Sequence, residues 1–258
     1  MSSSRQSSQS SVAPRRRRKR RVINVRRLIL ALLLTALAGE LLVVILTSPR
    51  FAVERIQVRG TRVISASQVA RGLHYLVGSN IFTANKREIA DALKRDPVVA
   101  DIHLHRRLPR ILVIDITERR AQLVLNSGTL LYEVDGSGIP FRKVSTANPK
   151  LPMICCAIPG PVILGRALKT PAFASARDCL IQAREKREFR VAKIAVDPAG
   201  HLCLNVQEGF EVRLGRPDQI ATKLDIVSRL VQQAPDFRRR GMYVDVSCPE
   251  APACKLAQ

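Results

Sequence analysis

Tryptophan is absent from this 258-residue chain, aromatic residues make up only 4% of it, and acidic residues number 21 against 43 basic ones. The resulting formal net charge of +22 favours anionic partners or an anionic surface. The six cysteines include no Cys-x-x-Cys pair and no Cys/His series at zinc spacing. The sequence therefore predicts no metal site.

Signatures of catalysis are also missing from the sequence. There is no Gly-x-Ser-x-Gly or Ser-x-x-Lys nucleophile, and the turn Asp135-Gly-Ser-Gly138 lacks the Lys-Ser/Thr of a phosphate loop. His103 and His105 would share one face of a strand, but no third metal ligand is evident beside them. We expect no catalytic, cofactor-binding or metal-binding residue, no small-molecule substrate and no enzymatic activity.

The N-terminal region combines a basic tail with an apolar segment. Residues 1–27 hold ten Lys or Arg and no acid, and their Ser-rich start predicts disorder. Residues 28–47 are predicted to be a transmembrane helix. The nineteen residues from Leu28 to Leu46 include one charged residue, Glu40, and a helix of this length spans about 28 Å. The excess of positive charge before this helix predicts a cytoplasmic N-terminus and an extracytoplasmic remainder.

The same N-terminal region also allows other interpretations. Ala36-Leu37-Ala38 resembles a signal-peptidase site and Arg26-Arg27 a twin-arginine start, but the apolar run continues for six residues past Glu40. The basic block could also be a nucleic-acid-binding arm. We favour an uncleaved single-pass anchor and no nucleic-acid partner. Glu40 either contacts another helix within the membrane or reaches water or headgroups, and both alternatives stay open.

The segment after the anchor predicts an α+β unit. Phe51–Val58 alternates apolar and polar residues as a half-buried strand does. Ser65 with Gln68 forms a capping-box pattern at the start of one helix, and Thr83 is the expected N-cap of a second. Two further alternating stretches, 98–105 and 111–118, predict a strand pair. The order β-α-α-β-β is typical of one sheet covered by two helices.

These residues resemble a known module. Ile56-x-Val58-x-Gly60, Asn80-Ile81-Phe82, Pro97-Val98, Leu108-Pro109 and Glu118-Arg119 are similar in order and spacing to the polypeptide-transport-associated (POTRA) domain, in particular that of the FtsQ/DivIB bacterial cell division proteins. The resemblance implies a POTRA domain over residues 51–119, directly after the anchor.

The resemblance continues towards the C-terminus. Tyr132-x-Val134-Asp135, Leu151-Pro152 and Tyr243–Ser247 fit the family's second domain, which implies a mixed β-rich extracytoplasmic domain with flanking helices over residues 120–258. The chain departs from the family at Arg120-Ala121, where Pro is frequent, and at Ser247, where Arg is usual. The second departure bears on partner contacts at the C-terminal edge.

The family implies a function of assembly. It predicts a bitopic scaffold of the divisome in the cell inner (plasma) membrane at the division septum. Such a scaffold links cytoplasmic-side and extracytoplasmic division proteins, and helps control septal cell-wall synthesis. Its implied partners are bitopic division proteins of the FtsB and FtsL type and other divisome components. A POTRA-containing export or outer-membrane assembly factor is the alternative, and a secreted enzyme or a membrane-tethered nucleic-acid binder are more distant ones.

A short last strand over residues 251–256 would lie at a sheet edge, where a partner strand can add by β-augmentation. The resemblance places partner docking in this same region. Three cations, Arg238-Arg239-Arg240, either pair with an acidic partner segment or form a solvated run. Cys248 and Cys254 bracket a turn and could form a disulfide or stay unpaired. The candidate partner-binding residues are Arg238, Arg239, Arg240, Met242, Tyr243, Val244, Asp245, Val246, Ser247, Ala251, Ala253, Lys255 and Leu256.

Overall fold

The computed structural model describes residues 25–128, 130–233 and 241–256. Contacts divide the chain into two compact units, Met1–Pro49 and Arg50–Gln258. The first unit contains α1 (Val25–Thr47), which at 23 residues is about 35 Å long. Among the described helices, α1 is long and apolar enough to cross a membrane, judged by length and composition alone. Most of the predicted basic tail lies outside the described residues.

The second unit begins with a three-stranded sheet and two helices. The strands are β1 (Arg55–Arg59), β2 (Val99–Arg107) and β3 (Ile111–Glu118), in the order β1-β3-β2, and the helices are α2 (Ala66–Gly72) and α3 (Lys86–Leu93). β1 runs parallel to β3, whereas β2 runs antiparallel to it. This arrangement confirms the predicted β-α-α-β-β order. Its core buries the side chains of Ile81, Ile89, Leu112 and Ile114.

The ends of these elements differ from the sequence prediction. The first strand begins at Arg55 instead of Phe51, because Pro49–Phe51 forms a 3-10 turn and Ala52 makes only an isolated bridge to Asn80. The N-cap of α3 is Asn85, not Thr83: its side chain accepts hydrogen bonds from the N–H groups of Arg87 and Glu88. Ser65 is the N-cap of α2, but its hydroxyl makes no capping hydrogen bond.

The rest of the second unit is built on one nine-stranded sheet within the described residues. Its order is β12-β11-β10-β9-β8-β7-β4-β5-β6, and the pairs β10/β11, β4/β7 and β7/β8 are parallel. The strands are β4 (Leu123–Asn126), β5 (Leu131–Val134), β6 (Pro140–Val144), β7 (Met153–Cys155), β8 (Val191–Val196), β9 (Leu202–Val206), β10 (Glu211–Gly215), β11 (Gly241–Asp245) and β12 (Ala253–Leu256).

Two helices, α4 (Pro171–Arg184) and α5 (Ile220–Gln233), pack on one face of this sheet. The alternation of β9 explains why the helices cover this face. Leu202, Leu204 and Val206 are buried towards the helices. Cys203 and Asn205, on the opposite face, are only half-buried. The protein is therefore a mixed α+β fold with a β-rich C-terminal region, as the sequence predicted.

Two consecutive residues at the end of β3, Glu118 and Arg119, hold neighbouring segments in place, and Arg119 joins the two sheets. Both Glu118 carboxylate oxygens accept hydrogen bonds from the loop after β1, at 2.9–3.0 Å from the backbone N–H groups of Arg62, Val63 and Ile64. Arg119 donates to the carbonyl of Pro97 at 3.1 Å and to the Asp135 carboxylate at 2.6 Å. Arg119 thus ties the first sheet to the turn between β5 and β6.

Candidate partner-binding site

The C-terminal strand lies at an edge of the nine-stranded sheet. β12 pairs only with β11 among the described strands, with Tyr243 opposite Lys255, Val244 opposite Cys254 and Asp245 opposite Ala253. A strand with one neighbour leaves the N–H and C=O groups on its outer side available for another strand. The edge strand expected from the sequence is therefore present, two residues shorter at its start.

The candidate residues divide into two groups by burial. Val244 and Val246 are 1% and 0% exposed and belong to the hydrophobic core, so their side chains cannot contact a partner without unfolding the sheet. Met242 is 50% exposed. Ser247, Ala251, Ala253 and Lys255 are exposed as well. Leu256 is the last residue of β12, and Arg238, Arg239 and Arg240 lie outside the described residues.

A charged network flanks the edge on the sheet face opposite the helices. The guanidinium of Arg213, on β10, lies 4.2 Å from the centre of the Tyr243 ring, a cation–π contact. The same guanidinium donates to Glu211 at 2.8 Å. This hydrogen bond keeps the pKa of Glu211 below its usual value, more than burial raises it. Sequence analysis missed Arg213 and Glu211, although both occupy the outward positions of an alternating strand.

Asp245 completes this network. Its carboxylate accepts hydrogen bonds from the hydroxyl and the backbone N–H of Ser247, and these bonds, with the Arg213 charge, lower the pKa of Asp245 despite partial burial. Beside it lies an open cavity of about 610 Å³, lined among others by Cys203, Glu211 and Asp245. The outward face next to the edge is therefore polar, with both signs of charge fixed in place.

All six cysteines are free thiols in the structure. Cys248 and Cys254 are both exposed, and Cys254 lies on β12. Their pairing stays a prediction.

The two strand histidines are exposed, as expected from their alternation on β2. Each lies near a carboxylate: His103 Nε2 is 3.4 Å from Asp101, and His105 Nε2 is 3.5 Å from Asp115. Within the residues that the structure describes, no group of three or more His, Cys, Asp or Glu side chains could hold a metal ion.

Comparison with known protein families identifies both parts of the second unit. Residues 51–119 match the FtsQ-type POTRA domain, so the class of this fold is a POTRA protein, and α1, which is long and apolar enough to cross a membrane, precedes that domain. Residues 120–247 match the C-terminal domain of the cell division proteins FtsQ and DivIB. The chain belongs to the FtsQ/DivIB family of bacterial cell division proteins. The matched residues end at Ser247, so β12 lies beyond them.

Individual relatives agree with this assignment. The chain is 28% identical to FtsQ of Streptomyces coelicolor over 86% of its own length and 85% of that protein's. It is 24% identical to DivIB of Clostridium acetobutylicum, covering 81% and 85% of the two chains. It is 27% identical to FtsQ of Mycobacterium leprae. That match covers 81% of this chain and only 57% of the relative's length.

A solved structure is also similar: the major extracytoplasmic domain of the trans isomer of the cell division protein DivIB from Geobacillus stearothermophilus. The TM-score is 0.31 and the identity 15%, over 45% of this chain and 96% of that chain. A likeness of this size supports no argument about the fold.

Proposed function

We propose that this protein is a bitopic, non-enzymatic scaffold of the divisome, anchored by α1 with its N-terminus in the cytoplasm. The two folded sheets then lie outside the cytoplasm, at the division septum. There they hold bitopic division proteins of the FtsB and FtsL type together with other divisome components, and so help control septal cell-wall synthesis. Family membership supports the general role, and the charge difference across α1 supports the orientation.

The observation that carries the proposal is the open outer side of β12. A partner segment in extended conformation can add to this edge and continue the nine-stranded sheet through main-chain hydrogen bonds. Specificity would come from the exposed side chains of Ala253 and Lys255, which alternate along the edge strand. The buried Val244, on β11, and Val246, just after it, serve the scaffold by holding this segment in the core.

Two substitutions at one position test this mode of binding. Lys255→Ala and Lys255→Pro remove the same exposed side chain, but only proline removes a backbone N–H and deforms the strand. We expect the full-length Lys255→Ala variant to co-purify with a bitopic partner of the FtsB type as the parent protein does. We expect the Lys255→Pro variant to lose this partner at least tenfold.

The expected loss corresponds to about 1.4 kcal/mol or more of binding free energy, which one or two main-chain hydrogen bonds supply. The melting temperature of each variant is the control, because β12 lies at an edge and contributes little to the core. Equal partner recovery with Lys255→Pro and Lys255→Ala would rule out strand addition at this edge.

A further inference from the structure

A second surface, at the end of the first sheet where the chain arrives from α1, has a composition that fits a lipid headgroup layer. Because β1 is parallel to β3 and β2 antiparallel, the start of β1 and the β2–β3 hairpin lie at the same end of the sheet. Backbone hydrogen bonds join them: the N–H groups of Glu54 and Arg55 both donate to the carbonyl of Arg110. We call residues 50–55 and 106–110 the basic tip.

Chain connectivity keeps the basic tip close to the end of α1. Only Ser48 and Pro49 separate Thr47, the last residue of α1, from Arg50. Three residues of chain span at most about 11 Å. When α1 crosses a membrane, the basic tip therefore starts within that distance of the point where the helix leaves the hydrocarbon.

The charge of the basic tip is strongly one-sided. It contains five arginines and one glutamate, Glu54, which forms an ion pair with Arg110. Arg107 is exposed, while Arg106 donates to the carbonyls of Ile81, Phe82 and Ala84 and so fixes the neighbouring turn against the hairpin. Fixed cations near the interface attract anionic lipid phosphates.

Apolar side chains stand among these cations. Leu108, at the tip of the hairpin, is 56% exposed. Phe82, on the turn held by Arg106, is 38% exposed and meets the ring of Phe51 edge-on at 5.3 Å between centroids. An exposed leucine alone needs no explanation. An exposed leucine between arginines, tethered beside a membrane helix, matches the residue pattern of interfacial binding.

We propose that the basic tip docks on the anionic lipid surface around α1, with Leu108 inserted among the headgroups and the exposed Arg55 and Arg107 on lipid phosphates. The contact would fix the tilt of the first sheet against the membrane. The proposal rests on the membrane-spanning role of α1 in the proposed function. Its partner is a lipid surface and not a protein of the divisome.

The absence of tryptophan makes a direct test available, because a single introduced tryptophan is the only one in the chain. Full-length Leu108→Trp is reconstituted in nanodiscs whose anionic phosphatidylglycerol carries brominated acyl chains, which quench a nearby indole. Val63→Trp is the matched control, since Val63 is 59% exposed and lies at the opposite end of the same sheet, beside Glu118. Leu34→Trp, within α1, reports insertion of the helix.

We expect blue-shifted, quenched emission from the Leu108→Trp variant and unshifted emission from the Val63→Trp variant. Adding Arg107→Gln should lower the ratio of docked to free tip roughly fivefold, the weight of one cation at an anionic surface. If Leu34→Trp is quenched, either of two results would overturn the proposal. One is equal emission from the Leu108→Trp and Val63→Trp variants, and the other is equal docking in anionic and in neutral phosphatidylcholine nanodiscs. An unquenched Leu34→Trp would instead overturn the membrane-spanning role of α1, and this proposal with it.

Discussion

At the level of single residues, the ion pair between Arg119 and Asp135 is a contact whose loss should destabilise the second unit strongly. Its side chains are 16% and 11% exposed, and it joins the two sheets. Arg119→Ala leaves the Asp135 carboxylate largely buried without its cation. Breaking such a pair destabilises a protein by about 3 kcal/mol.

The neighbouring residue provides the control for this prediction. Arg120 is exposed, so Arg120→Ala should change the free energy of unfolding by less than about 0.5 kcal/mol. Denaturant unfolding of the full chain in detergent measures both values. Similar stabilities for the two variants would contradict the structural role assigned to Arg119.

Glu118 gives the protein a pH-dependent contact. Burial raises the pKa of Glu118, but three backbone N–H groups outweigh it and hold the pKa below the ordinary value of 4.5. A carboxylate with a lowered pKa in the folded state stabilises that state above the unfolded pKa, and this contribution is lost as pH falls through the folded pKa. Glu118→Gln should therefore cost about 1–2 kcal/mol at neutral pH and progressively less below about pH 4.5.

Urea unfolding of the full-length protein and the Glu118→Gln variant at several pH values measures this dependence. Glu250→Gln, at an exposed position outside the sheets, is the control and should change stability by less than about 0.5 kcal/mol. A pH-independent difference between Glu118→Gln and the parent would show that the charge of Glu118 does not hold the loop.

The cysteines differ in their exposure to solvent, so labelling of the thiols can measure whether Cys248 and Cys254 are paired. Cys248 and Cys254 are exposed, whereas Cys179 is completely buried and burial raises its pKa to about 12. Thiolates react and thiols do not, so maleimide should label Cys248 and Cys254 in the folded, unreduced protein and leave Cys179 unlabelled. Labelling of Cys248 and Cys254 only after reduction would instead establish the disulfide that the structure lacks.

At the level of elements, β11 and Val246, the residue that follows it, include both buried side chains of the core and exposed side chains. Val246 is completely buried, so Val246→Ala should leave a cavity and cost about 2 kcal/mol of stability. Met242 is half exposed, and Met242→Ala should cost less than about 0.5 kcal/mol. Thermal unfolding of the two full-length variants separates these roles. A larger loss for Met242→Ala would contradict the assignment of Val246 to the core.

Periodicity explains which elements were predictable from the sequence. The apolar run of α1, the β-α-α-β-β order and the final edge strand follow from local hydropathy patterns and turn residues. The N-cap of α3 could not be predicted from local patterns, because Thr83 and Asn85 are both good N-cap residues. Only the turn at Asn80–Ala84 decides between them.

The candidate site was predictable in place but not in residue detail. The alternation of β11 was visible, but which of its faces the helices α4 and α5 cover depends on pairing between strands distant in sequence. Val244 and Val246 were therefore included as partner contacts, although both are buried. Arg213 was missed because its contact with Tyr243 arises from the parallel pairing of β10 and β11 across 29 intervening residues.

At the level of the whole molecule, the described parts present two surfaces with different expected partners. The basic tip follows α1 and fits a lipid surface, while the β12 edge belongs to the far end of the chain and fits an extended peptide segment. Glu118 holds the loop after β1, and Arg119 ties the first sheet to the turn between β5 and β6.

The most direct test of the central claim is the position of a fluorescently tagged full-length copy in dividing cells of the source organism while the native protein is depleted. We expect recruitment to midcell and normal division with the parent protein or with the Lys255→Ala variant. We expect filamentation when the native protein is depleted without replacement, and also when only the Lys255→Pro variant is present. An even distribution around the envelope, with normal division after depletion, would contradict the divisome role and favour an export or assembly factor.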